Sequence, residues 1–235
     1  MRKNKLCTIC MRSGSKGVKN KNYKILNGFP LMHYTIEQAK KSRLFDEIVI
    51  STDSKKIASI AKKYNIDVWF YRPRKLSGDR VGKLEVIRHA LLESEKYYNK
   101  NFDIIFDLDV TSPLRLYSDI NKAYKQFINK DADILISGTE ARRSPYFNQV
   151  EEINDSFYLV KNFKKNIKRR QDSPKVYDMN ASIYIWKKNS LLSQRTLFSS
   201  NTTLYIMPPE RSIDIDSELD FRIVEYIMKE ENNGN

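Results

Sequence analysis

The residues best suited to chemistry lie in a short loop near the N-terminus. An apolar run that begins at Leu6 gives way at Arg12 to a segment, ending at Asn22, that holds two glycines and several cations. Glycine lets backbone N–H groups come close to an anion, and Arg and Lys neutralise its charge. The pattern therefore predicts a loop that binds the phosphates of a nucleoside triphosphate. The residues expected to bind are Arg12, Ser13, Gly14, Ser15, Lys16 and Asn22.

This loop matches neither of the common phosphate-binding motifs. It lacks the G-x-x-x-x-G-K-[ST] spacing of Walker A proteins and the G-x-G-x-x-G spacing of dinucleotide-binding sheets. Taken alone, it could be a basic turn. Its position directly after a predicted strand favours phosphate binding, because ligands of open α/β sheets gather beyond the carboxyl ends of the strands.

A second candidate site is the pair of acids Asp214 and Asp216. In an extended segment, residues two positions apart project from one face, so the two carboxylates could share a divalent cation. Mg²⁺ is held by one or two carboxylates together with phosphate oxygens. The alternative is that Asp216 only caps the last helix, and the sequence leaves both interpretations open.

A third acid, Asp109, follows an apolar stretch that is predicted to be a central strand. An isolated carboxylate there is costly unless it is paired or bound to a ligand, so Asp109 is a candidate site residue. Arg115, in the same loop, could contact a ligand or could close the loop by hydrogen bonds.

The positive charge is concentrated in two segments. The chain has 42 Lys and Arg against 29 Asp and Glu, a net charge of +13. Residues 1–36 contain eight Lys or Arg and no acid, and residues 161–175 carry a net charge of +6, so the remainder is close to neutral. We expect both segments to face one anionic site. A nucleic-acid-binding protein is the alternative, with binding that weakens steeply in salt, but the acid pair suited to a metal argues against a nucleic-acid partner.

Length, hydropathy and cysteine content narrow the class of protein. With 235 residues, the chain fits one large α/β domain or one domain with an arm. It has no apolar stretch near the ~20 residues of a membrane span and no signal-peptide pattern, so we expect a cytoplasmic protein with no membrane partner. Cys7 and Cys10 form a C-x-x-C without a second pair, and within a strand they would point to opposite faces. We therefore expect small buried side chains rather than a redox or zinc site.

Strands and helices alternate along most of the chain, which predicts a Rossmann-like, mostly parallel sheet flanked by helices. The predicted strands are 5–11, 47–51, 67–71, 102–108, 133–137, 181–186 and 204–207. The predicted helices are 31–43, one that contains Ile57, Ile60 and Ala61, 83–99, 119–129 and 217–229.

The alternation stops between residues 139 and 177. This segment is rich in Arg, Lys, Asn and Tyr, shows weak strand alternation at 157–160, and is too long for an ordinary loop. We therefore predict an α/β nucleotide-binding domain made of 1–138 and 178–230, a small dimerisation arm at 139–177, and a frayed polar tail at 231–235.

Six segments together resemble the CMP-acylneuraminate synthetase family, the cytidylyltransferases that activate sialic-acid-like nonulosonic acids. They are RSGSKGVKNKN at 12–22, STD at 51–53, TSPLR at 111–115, RRQ at 169–171, NASIY at 180–184 and SIDIDSELD at 212–220. Their order and spacing match the family over nearly the whole chain. The variants DVTSPLR and RRQDSPKVYDMNASIYIW look most like the bacterial branch that acts on legionaminic acid or a related sugar.

The resemblance implies a reaction and a set of site residues. CTP and a nonulosonic acid would give the CMP-sugar and pyrophosphate, with Mg²⁺ as cofactor, in a homodimer joined through residues 139–177. It implies that Lys16, Arg12 and Asp216 are catalytic and that Asp214 and Asp216 bind the metal. Arg72 and Lys83 join the N-terminal loop on the nucleotide side. The sugar-side positions are Asp109, Thr111, Ser112, Arg115, Phe147, Arg170, Gln171, Asn180 and Tyr184.

Two residues depart from the pattern of the family on the sugar side. Asp109 stands where animal-type and meningococcal-type members carry glutamine, and Phe147 replaces a lysine near the sugar carboxylate. Lys83 lies near a position that is usually small and lines the cytosine pocket. Asp109 and Phe147 favour a sugar other than N-acetylneuraminic acid, and Lys83 leaves room for a different contact to the base.

Overall fold

The structure is a computed structural model that describes residues 2–161 and 169–233, without the side chains of Arg170 and of residues 231–233. The strands are β1 Lys5–Cys10, β2 Ile25–Leu26, β3 Phe29–Pro30, β4 Glu47–Ser51, β5 Ile104–Leu108, β6 Ile134–Glu140, β7 Val150–Ile153, β8 Ser156–Leu159, β9 Tyr177–Lys187 and β10 Thr202–Ile206. The helices are α1 Leu31–Ser42, α2 Lys55–Lys62, α3 Lys83–Tyr98, α4 Tyr117–Asn129, α5 Lys188–Ser193 and α6 Glu218–Asn233. Single 3-10 turns cover Lys21–Tyr23, Arg74–Leu76, Arg170–Asp172 and Pro209–Arg211.

A six-stranded sheet with the order β10-β6-β9-β5-β1-β4 forms the centre of the molecule. Strand β1 pairs in parallel with β4 and β5, and β10 pairs in parallel with β6. Strand β9 lies antiparallel between β5 and β6. The predicted fold class, a mostly parallel Rossmann-like sheet flanked by helices, is therefore confirmed.

Helices cover both faces of this sheet, which is why its strands read as continuous apolar runs. Helices α1, α2, α4 and α6 contribute to one core, and α3 and α5 contribute to the other. The side chains of β1 alternate between them, with Cys7 in the first core and Cys10 packed against the second. Both thiols are free and lie on opposite faces, as their spacing predicts.

One predicted strand, at 67–71, is wrong. Among the residues that the structure describes, 67–71 pair with no strand, and β4 forms the edge of the central sheet. Its aromatic residues pack on α3 instead, where the Trp69 ring stacks on the Tyr97 ring with 4.1 Å between centroids. The other predicted strands and helices agree with the observed ones to within a few residues, although α6 runs on to Asn233.

The segment at 139–177 carries a separate hairpin. Strands β7 and β8 pair antiparallel, and all of their side chains are exposed. The weak alternation at 157–160 therefore corresponds closely to β8, while the proposed division into domains stays a prediction. Within the described ranges, no helix combines the length and hydropathy needed to cross a bilayer.

Candidate functional site

The N-terminal loop and the acidic segment that contains Asp214 and Asp216 meet beyond the carboxyl ends of β1 and β5. The backbone N–H of Ile215 donates to the carbonyl of Thr111 at 2.9 Å, which fixes the acidic segment beside the loop after β5. A Cβ atom at Gly17 would overlap the carbonyl oxygen of Asp216, so only glycine allows this approach. The result is a cavity of about 340 Å³ between the N-terminal loop and the acid pair. Its lining residues are Cys10, Met11, Arg12, Gly14, Ser15, Lys16, Gly17, Lys21, Asn22, Asp109, Thr111, Asp214 and Asp216.

Two polar side chains of the N-terminal loop hold its backbone in place. The amide and hydroxyl of Ser13 donate to the two carboxylate oxygens of Asp53, at 2.7 and 2.8 Å. The side-chain amide of Asn22 donates to the carbonyl oxygen of Arg12 at 2.9 Å. Ser13 and Asn22 therefore shape the loop, and Asp53, which follows β4 and belongs to the STD segment at 51–53, is a positioning residue to which the sequence alone assigns no role in the site.

The two cations predicted to be catalytic are both paired with one carboxylate, that of Asp79. Lys16 Nζ lies 2.7 Å from Asp79 Oδ2, and the Arg12 guanidinium binds the other oxygen. Both hydrogen bonds lower the pKa of Asp79, and the one from Lys16 has the larger effect. The Lys16 side chain is 79% exposed and Asp79 is 46% exposed, so solvent has access to the contact. Asp79 lies in a polar loop without any regular pattern, and for this reason the sequence did not point to it.

A third cation, Lys21, joins the N-terminal loop to the acid pair. Its Nζ donates to the carbonyl oxygen of Ile215 at 2.6 Å and lies 3.3 Å from Asp216 Oδ1. Nothing in the sequence indicates a contact for Lys21. The structure shows that it bridges the two halves of the cavity.

The acid pair consists of one half-buried and one exposed carboxylate. Asp214 Oδ1 is buried and has no hydrogen-bond partner among the described residues. Burial raises the pKa of Asp214 to about 6; the Thr111 hydroxyl opposes the shift, and the charges of Asp109 and Asp216 add to it. Asp216 has 79% of its side chain exposed. A cation at this place would relieve the uncompensated negative charge.

The donor set suits a metal that takes few protein ligands. In the part of the chain that the structure describes, no group of three or more His, Cys, Asp or Glu side chains is arranged to hold a metal ion. Mg²⁺ accepts one or two carboxylates and completes its octahedron with water and phosphate oxygens. Asp214 and Asp216 supply that number of carboxylates. They are too few to surround a metal with protein ligands alone.

A second group of charges borders the cavity at Lys83, the first residue of α3. Lys83 Nζ donates to Asp107 at 2.7 Å and to Asp109 at 2.9 Å, and it lies 4.4 Å from the centre of the Tyr184 ring. Burial alone would lower the pKa of Lys83, but the two carboxylates outweigh it and raise this pKa well above its usual value. In turn Lys83 overcomes the effect of burial on Asp109 and lowers the pKa of that carboxyl. Asp109 is thus a carboxylate paired with Lys83, and Asp107, which binds the same lysine, is a residue that the sequence did not single out.

Arg115 is fully buried and closes the loop after β5. Its guanidinium donates to the carbonyl oxygen of Ser182 at 2.6 Å and to the Thr35 hydroxyl at 3.0 Å. Burial lowers the pKa of Arg115 to about 10. Of the two interpretations that the sequence allowed, the structure gives the hydrogen-bonded loop, and the sugar contact implied by the resemblance is not available to this side chain as it lies.

Ser112 and Asn180 are likewise turned into the protein. The Ser112 hydroxyl donates to the Asn180 carbonyl at 3.2 Å, and the Asn180 side-chain amide donates to the Ser212 hydroxyl at 3.0 Å. Neither residue lines the cavity. They tie β9 to the loop after β5 and to the acidic segment, so the motif that contains them is explained by packing between these elements.

The other predicted site residues with described side chains do not line this cavity. The guanidinium of Arg72 donates to the carbonyl of Ser51 at 2.6 Å and is buried. The Tyr184 ring stacks on Trp186 below Lys83. Gln171 borders a different cavity of about 480 Å³ at the base of the arm, and Phe147 is partly exposed on the arm. The side chain of Arg170 lies outside the described residues.

Comparison with known proteins agrees with this arrangement. A family model described as "Cytidylyltransferase" matches residues 6–233. The chain is 50% identical to CMP-N,N'-diacetyllegionaminic acid synthase of Campylobacter jejuni and to post-translational flagellin modification protein B of Campylobacter coli, each over 97% of this chain and 96% of the relative.

A solved structure shows the same fold. A CMP:2-keto-3-deoxy-manno-octonic acid synthetase, solved in complex with CTP, superposes with a TM-score of 0.70 over 97% of this chain and 99% of the other, at 13% identity. The likeness of fold, the family model and the two close relatives agree with the resemblance found in the sequence. This chain belongs to the cytidylyltransferase family.

Proposed function

We propose that this protein transfers CMP from CTP to the anomeric hydroxyl of a nonulosonic acid of the legionaminic type and releases pyrophosphate. The observation that carries the proposal is the meeting of the cationic loop and the acid pair in one cavity, at the strand ends where α/β sheets bind ligands. The 50% identity to a CMP-N,N'-diacetyllegionaminic acid synthase supports this choice of substrates.

The triphosphate would bind at the cationic end of the cavity. Arg12 and Lys16 exchange the carboxylate of Asp79 for phosphate oxygens and stabilise the charge that develops on them. Lys21 keeps the acid pair close to this end. Most of the rate enhancement would come from positioning and charge compensation, as in phosphoryl transfer generally.

Cytidylyltransferases generally use a divalent metal, and we assign Mg²⁺ to Asp214 and Asp216. The buried oxygen of Asp214 that lacks a partner supports this assignment. When bound, the metal would neutralise phosphate charge. The anomeric oxygen attacks the α-phosphorus in line, the bond from the α-phosphorus to the bridging oxygen breaks, and pyrophosphate leaves. Asp216, with its exposed carboxylate, is the candidate that accepts the proton of the anomeric hydroxyl.

We infer a homodimer joined through the arm at 139–177. The hairpin of β7 and β8 exposes large apolar side chains, among them Val150 at 62% and Phe157 at 69%. An isolated two-stranded hairpin is only marginally stable in water, so burial against a second copy would stabilise it. Sedimentation should show a dimer for the wild type and a monomer for Phe157→Asp. A wild type that sediments as a monomer would contradict the dimer. Since the proposed reaction consumes CTP, we place the enzyme in the cytoplasm.

A pyrophosphate-release panel tests the function directly. CTP, UTP, ATP and GTP are each combined with N,N'-diacetyllegionaminic acid, pseudaminic acid and N-acetylneuraminic acid, with Asp216→Asn as the inactive control. We expect release with CTP alone, and faster release with the legionaminic acid than with N-acetylneuraminic acid. The reverse order of sugars would overturn the interpretation of Asp109 and Phe147, and no release with any sugar would overturn the function.

A further inference from the structure

The resemblance places Lys83 on the nucleotide side, but two of its contacts, Asp109 and Tyr184, are sugar-side residues. We propose that Lys83 is a positioning residue for the second substrate: it holds Asp109 as a hydrogen-bond acceptor for a hydroxyl or amide N–H group of the sugar acid, and it does not itself bind the nucleotide. This inference rests on the proposed function and extends it to a residue on the sugar side.

The contacts of Lys83 leave its ammonium group little capacity for another ligand. An ammonium group donates three hydrogen bonds. Two of them go to Asp107 and Asp109, at 2.7 and 2.9 Å, and the ring of Tyr184 lies against the remaining side at 4.4 Å. A cation over an aromatic face is itself stabilised. Lys83 is therefore satisfied by the protein and is poorly placed to contact a base.

Asp107 fixes this arrangement to the central sheet. Its side chain is 1% exposed, and its second oxygen accepts a hydrogen bond from the Thr8 hydroxyl at 2.8 Å. Asp109 lies two residues further along an extended segment, so both carboxylates project to one side and a single ammonium can bind both. Without Lys83, two neighbouring carboxylates would repel each other in a poorly solvated place.

Asp109 faces the cavity and can accept a further hydrogen bond. Its Oδ1 accepts a hydrogen bond from the Thr111 hydroxyl at 3.2 Å, and both residues line the cavity. An ionised carboxylate has about four lone-pair sites, so it can accept a further hydrogen bond. It repels phosphate and attracts neutral donors, which the hydroxyl and amide groups of an acylamino sugar supply.

The sheet order indicates which substrate meets Asp109. Asp109 follows β5, and its neighbour Tyr184 lies on β9, on the far side of β1 from β4. The N-terminal loop is anchored on the opposite side, where Ser13 binds Asp53 after β4. A triphosphate on this loop leaves the β5 side for the second substrate. The exocyclic amine of cytosine is also a donor that a carboxylate could bind, and the experiment separates the two cases.

The test compares Lys83→Met, Asp109→Asn and the double variant in the full chain. Binding of CTP is measured at equilibrium, and KM and kcat are measured for both substrates. We expect Lys83→Met to raise the KM for the sugar acid about tenfold or more, while the Kd for CTP changes less than about twofold. Because both residues act through one contact, the double variant should be no worse than the worse single variant. A Kd for CTP that rises as much as the sugar KM, or single effects that multiply in the double variant, would overturn the proposal.

Two further variants show whether the effect of Lys83→Met is due only to a loss of folding. Lys83→Arg keeps the charge and should recover part of the sugar KM. Lys96→Met, on the same helix, removes a lysine that is 73% exposed and pairs with Glu93, and it should change neither constant.

The wild type separates this inference from the proposed function. Binding of the sugar acid is also measured by calorimetry with a non-hydrolysable CTP analogue, which needs no turnover. If the wild type neither turns over nor binds any sugar acid, the proposed function fails. If the wild type works and Lys83→Met loses CTP affinity, only the role of Lys83 is overturned.

Discussion

Two groups of charges border the same cavity, and they differ in burial. The exposed group joins Arg12 and Lys16 to Asp79. The buried group joins Lys83 and Asp109, which are 28% and 22% exposed, to Asp107, which is 1% exposed. An exposed ion pair contributes about 0–1 kcal/mol, because water competes for both partners. Removing one partner of a buried pair costs about 3–5 kcal/mol, because the other charge is left without compensation.

Because of this difference in burial, we expect the two groups to have different roles. The exposed carboxylate of Asp79 can be exchanged for a ligand at little cost, which suits a site that must bind and release polyphosphate. The buried group keeps one arrangement whether or not a ligand is present, which suits a rigid frame for a second substrate. Variants on each side of the cavity should therefore separate activity from stability.

The largest effect on activity is expected from Asp216, which is exposed and belongs to the proposed catalytic set. Asp216→Ala should reduce pyrophosphate release by about 10²–10³-fold, as does the loss of other groups that stabilise a transition state. Its Tm should change little, because 79% of the side chain is exposed. Near-normal release by this variant would remove Asp216 from the mechanism.

The largest effect on stability is expected from Lys83. Lys83→Met leaves Asp107 without its ion-pair partner in the core and should lower the free energy of unfolding by about 3 kcal/mol. Urea denaturation measures this loss against Lys96→Met, which should stay within about 0.5 kcal/mol of the wild type. Equal stabilities for the two variants would show that the buried group is not a rigid frame.

Asp214 should show a smaller, pH-dependent effect on stability. Its carboxyl has a pKa of about 6 in the folded protein against an ordinary value of 3.8, so the folded state holds a proton that the unfolded state has lost between these values. This contribution to stability is fully present below pH 3.8 and is lost as the pH rises through about 6. Asp214→Asn should therefore stabilise the metal-free protein at pH 7.5, by about 1–2 kcal/mol for a partly solvated group.

Thermal melts of wild type and Asp214→Asn at pH 5 and pH 7.5, in chelator, check this sign. The gain from the substitution should shrink at pH 5, where the wild-type carboxyl is largely protonated. A gain that grows as the pH falls would contradict the raised pKa.

The smallest effect is expected from Asp79. Asp79→Asn removes a carboxylate that competes with phosphate for Arg12 and Lys16, so the Kd for CTP should fall about two- to fivefold at low salt. The gain should decrease at high salt, because exposed charges are screened, and Tm should stay unchanged. Weaker CTP binding by this variant would mean that Asp79 supports the site rather than competing for it.

The sequence predicts most of the fold because burial on both faces leaves a local pattern. Strands β1 and β5 are apolar runs that end in polar loops, and their positions are predicted to within two residues. The segment at 67–71 has a similar pattern, but Trp69 and Phe70 pack against α3 instead of against a neighbouring strand. The antiparallel direction of β9 depends on the path of the arm, and no local sequence pattern predicts that path.

Part of the site can be predicted from the sequence, where the type and position of a residue indicate its role. Arg12 and Asp109 could be brought together from the sequence because each follows a predicted strand and parallel strands end at one edge of the sheet. The partners Asp53, Asp79 and Asp107 could not, since a carboxylate in a loop or strand gives no sign of which cation or N–H group it will meet. Arg115 looks like a ligand contact in its motif, and only the packing of the loop shows that it is buried.

The most direct test is a crystal structure with CTP and Mn²⁺, with the metal located by its anomalous signal. We expect the triphosphate on Arg12 and Lys16 in place of Asp79, and the Mn²⁺ between the phosphates and the carboxylates of Asp214 and Asp216. A nucleotide bound away from the N-terminal loop, or a metal bound away from the acid pair, would contradict the account.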